Sequence, residues 1–227
     1  VGYTGTRQAT PILLDGLGRL EYRGYDSSGI AVSAGEEINI LKTKGRLFEL
    51  EKLTDGVRPE GMTGIGHTRW ATHGGPSDEN AHPHYSRDKS FAVVHNGIIE
   101  NYLELRDFLT DRGFTFRSET DTEIVAMLLE YYFAGDMIDA IIKMRNKIKG
   151  SYALGILHAG DNGTFYALRK DSPLVIGLGN GENFIASDIP AVLPYTRKFI
   201  IPEEKEIAVI TPDGVTVYNI NKEKVEK

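Results

Sequence analysis

Apolar residues recur along this chain with two different periods, and the period changes at a few definable places. Residues 1–3 read as the tail of a short strand. Thr10-Pro11 reads as a helix cap with proline in the first turn, and Leu13, Leu17 and Leu20 follow at helical spacing. Residues 30–32 and 38–41 predict a strand pair turned near Gly35, and residues 63–70 and 91–98 predict central strands. Tyr102, Leu105 and Leu109 make a helical face that stops at Gly113. Thr120 and Glu123 match a capping box, with Ile124, Val125, Leu128, Leu129 and Tyr132 as the buried stripe behind it. Ile138, Ile141, Ile142 and Ile148 form another stripe, closed by Gly150. Beyond it, residues 152–157, 164–168, 174–178, 184–186, 199–201, 207–210 and 215–218 read as short strands. Strands cluster early and late, with helices between. That order predicts a layered α+β fold with largely antiparallel sheet rather than a doubly wound parallel one.

Length and composition narrow the picture further. The 227 residues suit one large domain or two small ones, and 41% hydrophobic residues are enough for a sizeable core. Residues 219–227 are polar and charge-dense, which predicts a solvated linker after a domain spanning 1–218. Acidic residues outnumber basic ones by 32 to 26 and no basic stripe is visible, so no nucleic-acid partner is expected. No apolar run approaches a membrane span, and the first residues lack a basic stretch followed by an apolar one. A cytoplasmic location without membrane contact is the expectation. The chain contains no cysteine, which excludes disulfides and thiolate–metal sites.

Four segments look chemical. In His67-Thr68-Arg69-Trp70-Ala71-Thr72-His73-Gly74-Gly75 an apolar strand runs into a glycine-containing loop. Arg69 offers a planar fork that matches a carboxylate, and Trp70, Thr72 and His73 are placed to wall the site; the alternative is an exposed strand end. In Val94-His95-Asn96-Gly97-Ile98-Ile99 a strand delivers an asparagine amide and a glycine N–H together, a candidate oxyanion hole. An ordinary Asn-Gly hairpin turn is the competing reading. Ser118-Glu119-Thr120-Asp121-Thr122-Glu123 places Asp121 in the first turn of a helix, where the dipole favours its ionised form; plain capping is the alternative. Arg23-Gly24-Tyr25-Asp26-Ser27-Ser28-Gly29 joins a helix to a strand, and Arg23 can reach a neighbouring site or simply face solvent. Five histidines fall between 67 and 95, but only His82 and His84 are closely spaced and no His-Glu-x-x-His pattern occurs, so no metal is expected. Gly177-Leu178-Gly179-Asn180-Gly181 lacks the ending of a phosphate loop and reads as a turn.

Taken in order, these segments resemble one family, the N-terminal glutaminase domains of glutamine–fructose-6-phosphate aminotransferases. The matching stretches include Glu21-Tyr22-Arg23-Gly24-Tyr25-Asp26-Ser27, His67 to Gly74, Asn80-Ala81-His82-Pro83-His84, Val94 to Tyr102, Ser118 to Glu123, Ser172 to Gly179 and Asn183 to Asp188. The resemblance implies an N-terminal-nucleophile hydrolase, a four-layer αββα sandwich with antiparallel sheets, and no cofactor. It implies a nucleophilic cysteine three residues ahead of Val1, in a Cys-Gly-Ile-Val-Gly start, with its own α-amine as base. It also implies Asn96 and Gly97 as the oxyanion hole. Arg69 would bind the glutamine α-carboxylate and Asp121 its α-ammonium, with Trp70, Thr72 and His73 in the closing loop and Arg23 near the nucleophile. Ammonia so released would pass to a C-terminal sugar-isomerase domain and convert fructose 6-phosphate to glucosamine 6-phosphate, in a full-length homodimer. Without the cysteine the chain as written is expected to be inactive. Two other readings stay open: a non-catalytic glutamine-binding module, and the glutaminase domain of the related amidophosphoribosyltransferases.

Overall fold

The computed structural model describes residues 1–71 and 73–227. The chain opens with β1 (Gly2–Thr4), α1 (Ala9–Gly18), the hairpin β2 (Ser27–Ala34) and β3 (Glu37–Lys44), α2 (Leu47–Val57) and β4 (Thr63–Arg69). It continues through β5 (His84–Tyr85), β6 (Phe91–Ile99) and three helices, α3 (Tyr102–Thr110), α4 (Glu123–Tyr132) and α5 (Met137–Lys147). The remainder is strand: β7 (Gly150–His158), β8 (Phe165–Lys170), β9 (Val175–Leu178), β10 (Asn183–Ala186), β11 (Phe199–Ile200), β12 (Ile207–Thr211), β13 (Gly214–Tyr218) and β14 (Lys224–Val225).

Local rules explain most boundaries, and three differ from the sequence reading. α1 begins one residue before Thr10: Gln8 is its N-cap and Thr10 Oγ1 donates instead to the Pro59 carbonyl. Pro11 still sits in the first turn, where a missing N–H costs nothing. α2 was not expected, although Leu47, Leu50 and Thr54 lie on one buried stripe at helical spacing. Thr122, not Thr120, caps α4, and it makes no side-chain cap bond. The Glu123 carboxylate reaches back instead, taking the N–H groups of Arg117 and Ser118 and the Ser118 hydroxyl at 2.7 Å. Asp121 therefore precedes the helix by two residues rather than lying in its first turn.

Two seven-stranded sheets form, every strand pair in them antiparallel. One has the order β11-β9-β10-β1-β4-β2-β3 and the other β14-β13-β12-β8-β7-β6-β5. β4 is interior, as expected. β6 is one strand from an edge, covered only by the two residues of β5.

Three bodies of core separate four layers. Leu13, Leu17 and Leu50 of α1 and α2 pack on Tyr3, Ile30 and Val32 of the first sheet. Between the sheets, Ala31, Ile65 and Ile185 meet Ala92, Val94, Phe165 and Ala167. On the far side, Leu105, Leu109, Leu128 and Met144 of α3–α5 cover Val93, Ile99, Leu154 and Ile156 of the second sheet. Alternate residues of β6 thus serve different cores: Val93 faces helices, Ala92 and Val94 the opposite sheet. A strand buried on both faces is apolar throughout, which is why runs such as residues 152–157 show no polar alternation. The result is an αββα sandwich. Residues 219–227 do not run free of it. β14 pairs with β13, Val225 opposite Val217, and Lys227 Nζ lies 2.8 Å from the buried Glu206 carboxylate.

Candidate active site

The start of β1, the last residues of β4, the end of β6 and the loop before α4 meet around one cleft of about 310 Å³. That is the size of a small-metabolite site. Arg23, Arg69, Trp70, Asn96, Gly97 and Asp121 all line it. Of the other two expected residues, His73 does not line it, its backbone carbonyl instead accepting from Arg69, and Thr72 lies outside the described residues.

Arg69 ends β4 and is buried. Its Nη2 donates to the carbonyls of His73 and Gly74, the latter at 3.0 Å, and so holds the following loop in place. Its Nη1 is buried with no hydrogen-bond partner among the described residues. Burial pulls the Arg69 pKa below its ordinary value, with Asp26 and Asp121 acting in the opposite direction. A buried guanidinium with a spare N–H edge is a receptor for an anion.

Asp121, also buried, accepts the Ile99 N–H through Oδ2 at 2.7 Å. Cation and anion thus share one cleft, complementary to a zwitterion. At the rim, Arg23 stands 3.8 Å from Asp188 and is 40% exposed, so it is a rim group rather than a buried ligand. Trp70 is 60% exposed, its ring edge-on to Tyr25 at 5.3 Å. The His73 ring packs edge-on to Tyr102.

Asn96 and Gly97 are not a hairpin turn. Both lie within β6, opposite Ala153 and Tyr152 of β7. Gly97 has φ of +126°, and a Cβ there would fall 2.1 Å from the Ser151 carbonyl oxygen. Only glycine fits that conformation and that approach. Asn96 Oδ1 lies 2.7 Å from His67 Nε2, the one hydrogen-bond partner of that side chain among the described residues.

Several cleft residues escaped the sequence reading: Val1, His67, His95, Thr120, Thr122 and Ser187. The Val1 nitrogen donates to Gly66 O at 2.8 Å. His67 and His95 belong to the same motifs as Arg69 and Asn96, and alternation along β4 and β6 was the signal that could have found them. His82 stacks on His67 at 4.3 Å and faces Thr122 Oγ1, which also meets His95 Nδ1 at 2.9 Å. Burial lowers the pKa of His67 to about 3 and those of His82 and His84 well below the ordinary value, and it lowers His95 as well. These four are neutral hydrogen-bonding groups at pH 7. Among the described residues no three His, Asp or Glu are placed to hold a metal.

Comparison with known proteins gives consistent results. The profile of a family described as the glutamine amidotransferase domain matches residues 67–194. The isomerizing glutamine–fructose-6-phosphate aminotransferase of Caldanaerobacter subterraneus is 56% identical over 227 residues, covering all of this chain and 37% of that protein. The enzyme of the same name from Aquifex aeolicus is 51% identical and is covered to 38%. The chain therefore spans little more than a third of these curated relatives. Among solved structures, a glutamine phosphoribosylpyrophosphate amidotransferase from B. subtilis, complexed with ADP and GMP, superposes with a TM-score of 0.85 at 26% identity, over 98% of this chain and 49% of that one. A glutamine aminotransferase class-II domain protein from Silicibacter pomeroyi shares the fold, with a TM-score of 0.65 at 15% identity over 96% of this chain and 97% of that one.

Proposed function

This chain belongs to the glutamine amidotransferase domain family, and from that premise we propose that its cleft binds glutamine and, given a cysteine ahead of β1, hydrolyses it. The observation that carries the reading is the unpartnered buried Nη1 of Arg69 in the same cleft as the Asp121 carboxylate. Glutamine is a zwitterion with a neutral amide at the far end. Its α-carboxylate takes the free edge of Arg69, its α-ammonium takes Asp121, and its amide extends toward Asn96 and Gly97. Trp70 and His73 close over it, and Arg23 stands at the entrance.

Strand register supports a position for the nucleophile. β1 runs antiparallel to β4 with Gly2 opposite Ile65, and Val1 is already bonded to Gly66. Continued in register, the third residue ahead of Val1 falls opposite Arg69, about 10 Å along the strand. A cysteine there stands at the cleft. Its thiol passes a proton to its own α-amine, and sulfur attacks the amide carbon to form a C–S bond. The resulting oxyanion is held by the Asn96 side-chain N–H and the Gly97 backbone N–H. Collapse breaks the C–N bond, the α-ammonium returns its proton to the leaving nitrogen as ammonia departs, and water then hydrolyses the thioester to glutamate.

In the whole protein this ammonia serves conversion of fructose 6-phosphate to glucosamine 6-phosphate on a C-terminal sugar-isomerase domain. The 56% identity with a relative of that activity supports this over the phosphoribosyl transfer of a neighbour at 26%. The full-length protein is a homodimer and cytoplasmic; no helix among the described residues is long and apolar enough to cross a membrane. A second reading, a glutamine-binding module without catalysis, needs only the Arg69 and Asp121 pair in the cleft.

The test compares the chain starting at Val1 with one carrying Cys-Gly-Ile ahead of it. Both should bind glutamate by calorimetry, and only the extended chain should release ammonia from glutamine. A folded extended chain that binds glutamate but releases no ammonia leaves the binding-module reading. Failure of both chains to bind glutamate rejects the cleft assignment.

A further inference from the structure

We infer that His67 is the positioning residue that sets which face of the Asn96 carboxamide looks into the cleft. The inference rests on the glutaminase reading above, and it identifies the group on which the oxyanion hole depends.

A carboxamide presents an acceptor on one side and donors on the other. Turned by 180° it has the same shape and the opposite electrostatics. At Asn96 one orientation stabilises a negative oxygen in the cleft and the other repels it. The Asn96 side chain has a single partner among the described residues, His67 Nε2 at 2.7 Å from Oδ1. Whichever way the imidazole carries its proton therefore decides the matter. An Nε2–H donates to Oδ1 and leaves the two Nδ2 hydrogens to the cleft. A bare Nε2 would instead accept from Nδ2 and turn Oδ1 toward the substrate.

Three features select the first arrangement. The imidazole is neutral, because burial holds its pKa at about 3, so it carries one proton only. Its other nitrogen, Nδ1, is buried without a hydrogen-bond partner among the described residues. A proton placed there would be an orphaned buried donor, which is costlier and rarer than an unused acceptor. The proton therefore sits on Nε2, where Oδ1 receives it. Finally, the ring is held from behind by His82, stacked at 4.3 Å and 20° from parallel, so it cannot swing away. His82 is in turn tied to Thr122 Oγ1 and to the His95 N–H. His82 thereby acquires a function: it is the back wall that keeps His67 in register with Asn96.

The experiment has two arms. In the chain as it stands, ¹⁵N-edited NMR of the histidine rings reads the tautomer directly, with no nucleophile required. His67 should show a protonated Nε2 and a bare Nδ1, unchanged from pH 8 to pH 5. A proton on Nδ1, or titration near pH 6.5, overturns the proposal. In the chain extended by Cys-Gly-Ile, His67→Leu should lower kcat for glutamine hydrolysis by about tenfold or more, since mispositioning a donor approaches the about 10²–10³ cost of deleting it. KM should stay within threefold, because Arg69 and Asp121 are untouched. His67→Gln, whose amide N–H can also donate to Oδ1, should recover most of the loss. Equal kcat in His67→Leu and the parent, or no recovery with Gln, overturns the proposal. If His67→Leu does not fold, the tautomer decides. If the extended parent releases no ammonia, the glutaminase reading fails while the tautomer arm still stands.

Discussion

Asp121 uses its two oxygens differently. Oδ2 holds the Ile99 N–H, which fixes the end of β6 against the loop before α4. The carboxylate also faces the cleft and carries the charge that an α-ammonium needs. An asparagine can keep the first interaction through its carbonyl and lose the second. Asp121→Asn should therefore weaken glutamate binding at least about tenfold, the scale of one charge-assisted bond, and leave the melting temperature nearly unchanged. A calorimetric titration with unaltered affinity would remove Asp121 from the site. Buried histidines set a second expectation. His67, His82 and His84 have folded pKa values below the unfolded value of about 6.5. The folded state then binds fewer protons than the unfolded one as pH drops below about 6.5. Stability is full above that pH and is lost on acidification. Urea midpoints at pH 7.5 and 5.5 measure it, and identical midpoints would refute it. That Arg69, Asn96, Gly97 and Asp121 would share one cleft was legible in the sequence because each sits in a motif with an unusual neighbour. His67 was not, since its role is a partnership across two strands 29 positions apart, and no local pattern encodes that.

At the scale of elements, period and punctuation located nearly every strand and helix but misjudged the segment before α4 and passed over α2. The Asp121 segment was read as a helix start because Thr-x-x-Glu spacing matches a capping box; the glutamate is spent instead on the loop ahead of it. α2 went unread although it follows Gly45 with φ of +104° and ends at a left-handed Arg58. Its stripe is only three residues wide among many charges, which is faint as periodicity yet sufficient once a sheet supplies the other half of the contact. Leu50 is fully buried there, so Leu50→Ala should destabilise the protein by about 2–5 kcal/mol in urea unfolding. A change under about 1 kcal/mol would mean that α2 is not packed as described. Gly97→Ala should cost at least about 2 kcal/mol, because it combines a left-handed residue with a clash against β7.

For the whole molecule, the alternation of strand-rich and helix-rich stretches was enough for α+β and antiparallel pairing, whereas the number of layers was not. Layers depend on which face of each strand meets which partner, and β6 meets helices on one side and a sheet on the other. The tail shows the same limit. Residues 219–227 look like linker by composition, yet Val225 packs on the inter-sheet core and β14 covers the edge of β13. Ending the chain after Tyr218 should lower the melting temperature by a few degrees, roughly 1 kcal/mol, and leave β13 as an open edge prone to association. Scanning calorimetry with light scattering checks both; an unchanged transition and a clean monomer would show that the tail contributes nothing.

Where β1 begins has a practical consequence. It is hemmed between β4 and β10, and Val1 at its leading end lines the cleft. An affinity tag fused ahead of the proposed cysteine would sit at the pocket as a tethered plug and would acylate the α-amine needed as base. A purification handle belongs at the other end of the chain, and glutamate binding regained only after proteolytic removal of a leading tag would be the mark of that obstruction.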